Sequence, residues 1–198
     1  MENEFERIKR LPPYVFAEVN QLKAELRSKG RDIIDFGMGN PDMPTPEHIR
    51  QKLKETVDKP GTGRYSSSRG ISGLRKAQSK YYQRRFNVDL NPENEVIVTL
   101  GSKEGLANLA QAITSPGDII LSPNPSYPIH PYGFIIAGAS LRHLPAMEEG
   151  VFNQELFLEK LDRSIRHSVP SPKAIIVSFP SNPTAQIVDL AFYEEVVK

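Results

Sequence analysis

The sequence alternates between short apolar runs and longer segments in which apolar residues recur every three or four positions, most clearly after residue 94. Four apolar runs predict β-strands: EVIVTL (95–100), DIILS (118–122), SLRHLP (140–145) and KAIIVSF (173–179). The helical spacing predicts α-helices over 103–113, 130–139 and 153–166, and from about Leu190. Strands separated by helices indicate a three-layer α/β fold, with a mostly parallel sheet and helices on both of its faces.

The pattern before this region is less regular. The prolines of LPP (11–13) interrupt a helical pattern, which predicts an extended arm followed by a helix from about Phe16. A short strand is predicted at Ile33–Phe36. The segment TPE (45–47) has the composition of a helix start, and a further helix is predicted over Ser72–Phe86.

The composition excludes several classes of function. The chain has 198 residues and a formal net charge of +1 with both signs interspersed, so we expect no binding to nucleic acid or to a membrane. It contains no cysteine, which excludes disulfides and thiolate metal sites. Its four histidines lack the spacing of metal ligands, and no metal site is predicted. The charged start of the chain lacks an apolar signal core, which predicts a cytoplasmic protein.

Candidate chemistry follows three of the predicted strands. Ligands of open parallel sheets bind outside the carboxyl ends of the strands. The segment GSKEG (101–105) begins a helix directly after a strand, where unpaired backbone N–H groups form an anion site. The structural alternative is an ordinary helix start with Ser102 as N-cap.

An aromatic ring and an amide follow the other two strands. Pro125 and Pro128 restrict the backbone on both sides of Tyr127, whose ring either stacks on a flat ligand or fills the loop. Asn182, in FPSNPTAQ, either presents its amide to a ligand or forms an Asx-turn. Together, the anion site, the ring and the amide indicate a flat, phosphorylated ligand that accepts hydrogen bonds.

Five motifs in unbroken order resemble the class I/II aminotransferases, fold-type I enzymes that use pyridoxal 5′-phosphate (PLP): MGNPDMPTP, GRYSSSRGISGLR, VTLGSKEGL, NPSYPIH and FPSNPTAQ. The last three are especially similar to bacterial alanine (glutamate–pyruvate) aminotransferases, and LPPYVFAE is similar to LL-diaminopimelate aminotransferases. The similarity runs from about Arg10 to the last residue. Ala185 departs from the family pattern, which most often has glycine after Asn-Pro-Thr.

The resemblance implies a role for each candidate residue. Ser102, Lys103 and Glu104 would lie at the cofactor phosphate, Tyr127 would stack on the pyridine ring, and Asn182 would donate to its phenolic oxygen. In a homodimer, Tyr65 would reach the phosphate of the neighbouring subunit. Two residues would face the substrate, namely Tyr14 and Gly39. Residues 1–44 would form an N-terminal arm and small-domain segment, and residues 45–198 part of the large cofactor-binding domain.

The resemblance also implies the reaction, in which an amino group moves from an amino acid to a 2-oxo acid, with alanine and glutamate as the leading pair. The lysine that binds the cofactor would lie beyond Lys198, so no catalytic residue is expected within this chain, which would be inactive alone. Three alternatives stay open: a carbon–sulfur lyase on the same fold, an LL-diaminopimelate-type aminotransferase, and a non-catalytic binding module.

Overall fold

The structure, a computed structural model, describes residues 5–37, 39 and 41–198. The helices are α1 (Glu6–Lys9), α2 (Val15–Ser28), α3 (Glu47–Val57), α4 (Ser72–Phe86), α5 (Ser102–Ile113), α6 (Ile129–Ala137), α7 (Gln154–Arg166) and α8 (Leu190–Val196). The strands are β1 (Ile119–Asn124), β2 (Ser140–Pro145), β3 (Met147–Glu148), β4 (Val151–Phe152) and β5 (Ala174–Ile175). The chain forms two compact units, Pro13–Val98 and the remainder, Met1–Pro12 with Thr99–Lys198. The predicted boundary at residue 44 concerns the whole enzyme and stays a prediction.

The larger unit contains the predicted parallel sheet. Strand β1 is central, with β2 on one side and β5 on the other, and both pairings are parallel. The register aligns Ile119 with Ser140 and Ile120 with Ala174. The apolar run of β1 is buried because helices cover both faces of the sheet. The mostly parallel α/β fold is therefore confirmed.

Successive residues of β1 enter different hydrophobic cores, as the alternation of side chains along a strand requires. Ile119 and Leu121 pack with residues of α7 and α8, including Phe157 and Phe192. Ile120 packs on the other side with residues of α5 and α6. The sheet is thus one layer between two helical layers.

An aromatic cluster fills the core on the α7 and α8 side. It consists of Phe152, Phe157, Phe179, Phe192 and Tyr193. Phe192 contacts the four other rings at centroid distances of 5.4–5.8 Å, mostly in edge-on or tilted arrangements that aromatic pairs prefer. Phe179 lies three residues before Asn182, so this cluster anchors the start of the loop that follows the sheet.

The smaller unit contains α2, α3 and α4. Arg75 of α4 is 7% exposed, and its guanidinium donates to three acceptors: the carbonyl oxygen of Gly70, the carbonyl oxygen of Pro92 at 2.8 Å and the carboxylate of Glu93 at 2.7 Å. A buried arginine of this kind requires such complete hydrogen bonding. The guanidinium therefore joins the loop before α4 to the loop after it.

Two predicted strands are wrong, and one element was not predicted. Ile33–Phe36 and residues 95–100 are irregular in the structure, because a strand needs a ladder of hydrogen bonds to a neighbouring strand and among the described residues neither segment has one. The strand predicted over 173–179 is paired only at Ala174–Ile175. The antiparallel hairpin of β3 and β4 has strands of two residues, too short to produce a detectable alternation.

Candidate functional site

Helix α5 begins directly after a glycine in the left-handed region. Gly101, with φ of 94°, is the N-cap, and Ser102 is the first helical residue. Ser102 is therefore not the N-cap that the sequence suggested as the structural alternative. The carboxylate of Glu104 accepts a hydrogen bond from the backbone N–H of Leu100. It therefore fixes the turn into the helix and leaves the N–H groups of the first helical turn available to an anion.

Lys103, in the first turn of α5, lies against the ring of Tyr127. Its Nζ is 5.2 Å from the ring centroid, within the range of a cation–π contact. The positive charge and the ring are thus next to each other in the larger unit, as the sequence prediction of a shared site requires.

Asn182 lies in a tight turn after β5. The backbone N–H of Ser181 donates to the carbonyl oxygen of Gln186 at 2.9 Å, and the N–H of Ala185 donates to that of Ser181 at 2.7 Å. Within the part of the chain that the structure describes, the Asn182 side chain has no hydrogen-bond partner, so it does not form the alternative Asx-turn. Ala185 has φ of 57°, a conformation that glycine adopts more easily, which explains why glycine fits this position.

Tyr127 and Asn182 line the same cleft at the carboxyl edge of the sheet. The cleft is bounded by residues 123–127 at the end of β1 and just beyond it, by the β3–β4 hairpin, and by residues 178–184 after β5. Its lining also includes His130, whose ring lies edge-on to Tyr127 with centroids 5.8 Å apart. Burial lowers the pKa of His130, so the neutral imidazole is favoured. His130 was not among the site residues predicted from the sequence, although its position three residues after Tyr127 pointed to the same edge.

The other predicted site residues belong to the smaller unit. Tyr65 is fully exposed, Tyr14 is 64% exposed, and Gly39 is exposed as well. The ring of Tyr14 packs on Phe16 with a centroid distance of 5.7 Å. Both tyrosine side chains are therefore accessible.

Two features are absent from the described residues. No three histidine or acidic side chains among residues 5–37, 39 and 41–198 lie together in a group that could hold a metal ion. Over the same residues, no helix has the length and apolar character needed to cross a bilayer. The cytoplasmic location stays a prediction.

A comparison with protein families identifies the group to which this geometry belongs. The sequence model of the family "Aminotransferase class I and II" matches residues 31–198. The chain belongs to the class I and II aminotransferases. The match confirms the resemblance seen in the five motifs. The family is PLP-dependent.

Curated relatives of this aminotransferase chain are similar over nearly its whole length. The putative aminotransferase AatC of Rhizobium meliloti is 58% identical over 98% of this chain and 47% of its own length. The glutamate–pyruvate aminotransferase AlaC of Escherichia coli is 55% identical over 99% of this chain and 46% of its own. An LL-diaminopimelate aminotransferase of Dehalococcoides mccartyi is 40% identical over 96% of this chain and 48% of its own length. The chain thus spans about half the length of the curated relatives it matches.

A solved structure shares the fold of this aminotransferase chain. A single mutant of the aspartate aminotransferase of Thermus thermophilus superimposes with a TM-score of 0.85 at 30% identity, covering 99% of this chain and 50% of the other. The agreement supports the α/β architecture of the family for the described residues.

The cleft, together with the start of α5 beside Tyr127, has groups that fit PLP. The Lys103 ammonium and the N–H groups at the start of α5 match a phosphate dianion. The Tyr127 ring can stack on a pyridine ring, and the unpartnered Asn182 amide can donate a hydrogen bond to a phenolic oxygen. The three kinds of group that the cofactor requires therefore lie at one edge of the sheet.

Proposed function

We propose that this chain forms the cofactor-binding part of an enzyme that transfers an amino group from an amino acid to a 2-oxo acid. The observation on which the proposal rests is the convergence of Lys103, Tyr127 and Asn182 at the carboxyl edge of the sheet. In a chain of a PLP-dependent family, that edge is the place where a phosphorylated aromatic cofactor fits.

Each residue has a separate task at the cofactor. Ser102 and Lys103, in the first turn of α5, would hold the phosphate, and Glu104 would fix the turn that presents them. Tyr127 would stack on the pyridine ring, and Asn182 would donate a hydrogen bond to the phenolic oxygen. When bound, PLP supplies the electron sink that lets the α-proton of an amino acid leave.

The lysine that binds the cofactor is proposed to come from outside these 198 residues. Among the described residues that line the cleft there is no lysine. Lys103, in the first turn of α5, would lie at the phosphate end of the cofactor instead. We therefore expect the 198 residues alone not to transfer amino groups, since the reaction needs a positioned base for the α-proton.

We propose a homodimer in which Tyr65 contacts the phosphate bound by the other subunit, and Tyr14 and Gly39 face the substrate. The exposure of both tyrosine side chains supports contacts outside their own unit. The proposal also assigns residues 1–44, which contain Tyr14 and Gly39, to an arm and small-domain segment. It assigns residues 45–198 to the large domain.

Alanine and glutamate are the proposed amino donors, with pyruvate and 2-oxoglutarate as their 2-oxo acids. The support is the 55% identity to a relative named glutamate–pyruvate aminotransferase. The alternative donor is LL-diaminopimelate, which is supported by a relative of that name at 40% identity.

The test uses the full-length protein loaded with PLP. Alanine and 2-oxoglutarate should give pyruvate and glutamate in equal amounts, and without an acceptor no more than about one pyruvate should form for each bound PLP. Release of sulfide, pyruvate and ammonia from cysteine in the absence of 2-oxoglutarate would instead indicate a carbon–sulfur lyase. Activity with LL-diaminopimelate but not with alanine would replace the proposed donor, and a full-length protein that does not bind PLP would be a non-catalytic module.

A further inference from the structure

Gln186 joins two of the segments that line the cleft. Its side-chain Oε1 accepts a hydrogen bond from the backbone N–H of Phe152, in strand β4, at 3.3 Å. Its carbonyl oxygen accepts from the N–H of Ser181 at 2.9 Å and so closes the turn that contains Asn182. One residue thus bonds to the β3–β4 hairpin through its side chain and to the Asn182 turn through its backbone.

We propose that Gln186 is a positioning residue that holds Asn182 in place to donate to the phenolic oxygen of the cofactor. This inference rests on the proposed function. Phe152 and Asn182 both line the cleft, while Gln186 is not among the lining residues. Gln186 therefore acts on the cofactor through Asn182 and not by direct contact.

The Asn182 side chain depends on its turn for its position. Among the described residues it has no side-chain partner, so no second hydrogen bond orients the amide before a ligand binds. The turn is attached at its start through Phe179 in the aromatic cluster. At the end of the turn, the hydrogen bond from the Phe152 N–H to the Gln186 side chain attaches the turn to the hairpin. Loss of this hydrogen bond should allow the turn to move relative to β4.

A displaced Asn182 would change a measurable property of the bound cofactor. A hydrogen-bond donor to the phenolic oxygen withdraws negative charge from that oxygen. This charge would otherwise help to hold the proton that the bound cofactor carries next to it. A weaker hydrogen bond therefore raises the pKa of the bound cofactor. Because the visible absorption of PLP changes when this proton is lost, a pH titration of the spectrum reports the position of Asn182 without any measurement of turnover.

The experiment compares four variants of the full-length, PLP-loaded protein with the native protein. Gln186→Leu removes the acceptor, and Gln186→Asn withdraws it by one methylene. Gln186→Glu retains an acceptor oxygen at the same reach. Gln111→Leu makes the same change at an exposed glutamine of α5. The Leu and Asn variants of Gln186 should raise the pKa of the bound cofactor by about 0.5–1, and Gln111→Leu should not change it. Because Gln186→Glu keeps the acceptor, a rise in that variant reports its added negative charge alone.

A double variant shows whether Gln186 acts through Asn182. Asn182→Ala alone should raise the pKa of the bound cofactor, and adding Gln186→Leu should raise it no further. The inference is overturned if both Gln186→Leu and Gln186→Asn leave the pKa unchanged while Asn182→Ala raises it, a result that leaves the proposed function intact. It is also overturned if the shift of Gln186→Leu adds in full to that of Asn182→Ala. Absence of a PLP spectrum in the native protein would overturn the proposed function and this inference together.

Discussion

Replacing Gly70 with alanine tests why the motif GRYSSSRGISGLR has glycine at this position. Gly70 has φ of 83°, in the left-handed region. A Cβ added there would lie 2.3 Å from Cγ2 and 2.4 Å from Cβ of Val98, far inside normal contact distance. Val98 is itself held in place, because its backbone N–H donates to the carbonyl oxygen of Arg69 at 3.2 Å. Neither partner can move away without breaking a contact.

Two costs and one gain determine the size of the effect. The left-handed conformation costs an alanine about 1–2 kcal/mol, and overpacking against Val98 costs about 1–3 kcal/mol. Alanine also restricts the unfolded chain, which returns about 0.4–1 kcal/mol. The free energy of unfolding of Gly70→Ala should therefore fall by about 1–5 kcal/mol.

Urea unfolding of the purified full-length protein, followed by circular dichroism, measures this loss, and Gly63→Ala is the matched control. Gly63 has no atom within 4 Å of an added Cβ and does not have a left-handed φ. The control should keep or slightly raise the stability, because only the unfolded-state gain applies. Equal stability of Gly70→Ala and Gly63→Ala would refute the reasoning.

Three further predictions concern the larger unit. Phe192→Ala should lower the free energy of unfolding by about 3–5 kcal/mol, because Phe192 is 2% exposed and contacts four rings; Phe86→Ala, at a residue 53% exposed, should cost clearly less in the same urea titration. Ala185→Gly should raise the stability by up to about 1 kcal/mol, and an unchanged or lower urea midpoint would contradict the strain inferred from its φ of 57°. Burial lowers the pKa of His130 below its ordinary value of 6.5. The unfolded chain therefore takes up the proton first, and stability decreases as the pH falls through 6.5 towards the lower pKa of the folded state. His130→Gln should make that decrease smaller.

The sequence predicts best the elements that local pattern alone specifies. Helix α4 spans Ser72–Phe86 as predicted, and β2 spans Ser140–Pro145. The parallel arrangement also follows from the sequence, because strands separated by helices have few other ways to bury their apolar residues. Strand β1 begins one residue later than predicted and ends two residues later, at Asn124.

Elements that need a distant partner were predicted less well. Residues 95–100 have a clear strand pattern, but a strand also requires a paired neighbour, which the described residues do not provide. The β3–β4 hairpin has the reverse problem, since it is paired but too short to have a pattern. Helix starts depend on single backbone angles, and the φ of Gly101 makes it the cap instead of Ser102.

The candidate site shows the same contrast between residues that a local pattern identifies and residues that depend on a distant segment. Tyr127 and Asn182 were chosen because each lies in the loop after a predicted strand, and the structure brings both to one cleft because the carboxyl ends of parallel strands lie at one edge. His130 and Gln186 escaped notice because their surroundings, and not their position in a motif, bring them to the cleft. A residue that acts through a hydrogen bond to another loop leaves no periodic signal in the sequence.

The central claim is that the carboxyl edge of the sheet binds PLP. The most direct measurement is the dissociation constant for PLP of the full-length protein, compared with those of Asn182→Ala, Tyr127→Ala and the control Gln111→Leu. Loss of a hydrogen bond to a charged oxygen should weaken binding by about 10–100-fold for Asn182→Ala, and loss of the ring contact by about 2–10-fold for Tyr127→Ala. Native affinity in both of these variants would contradict the account, since PLP would then bind elsewhere.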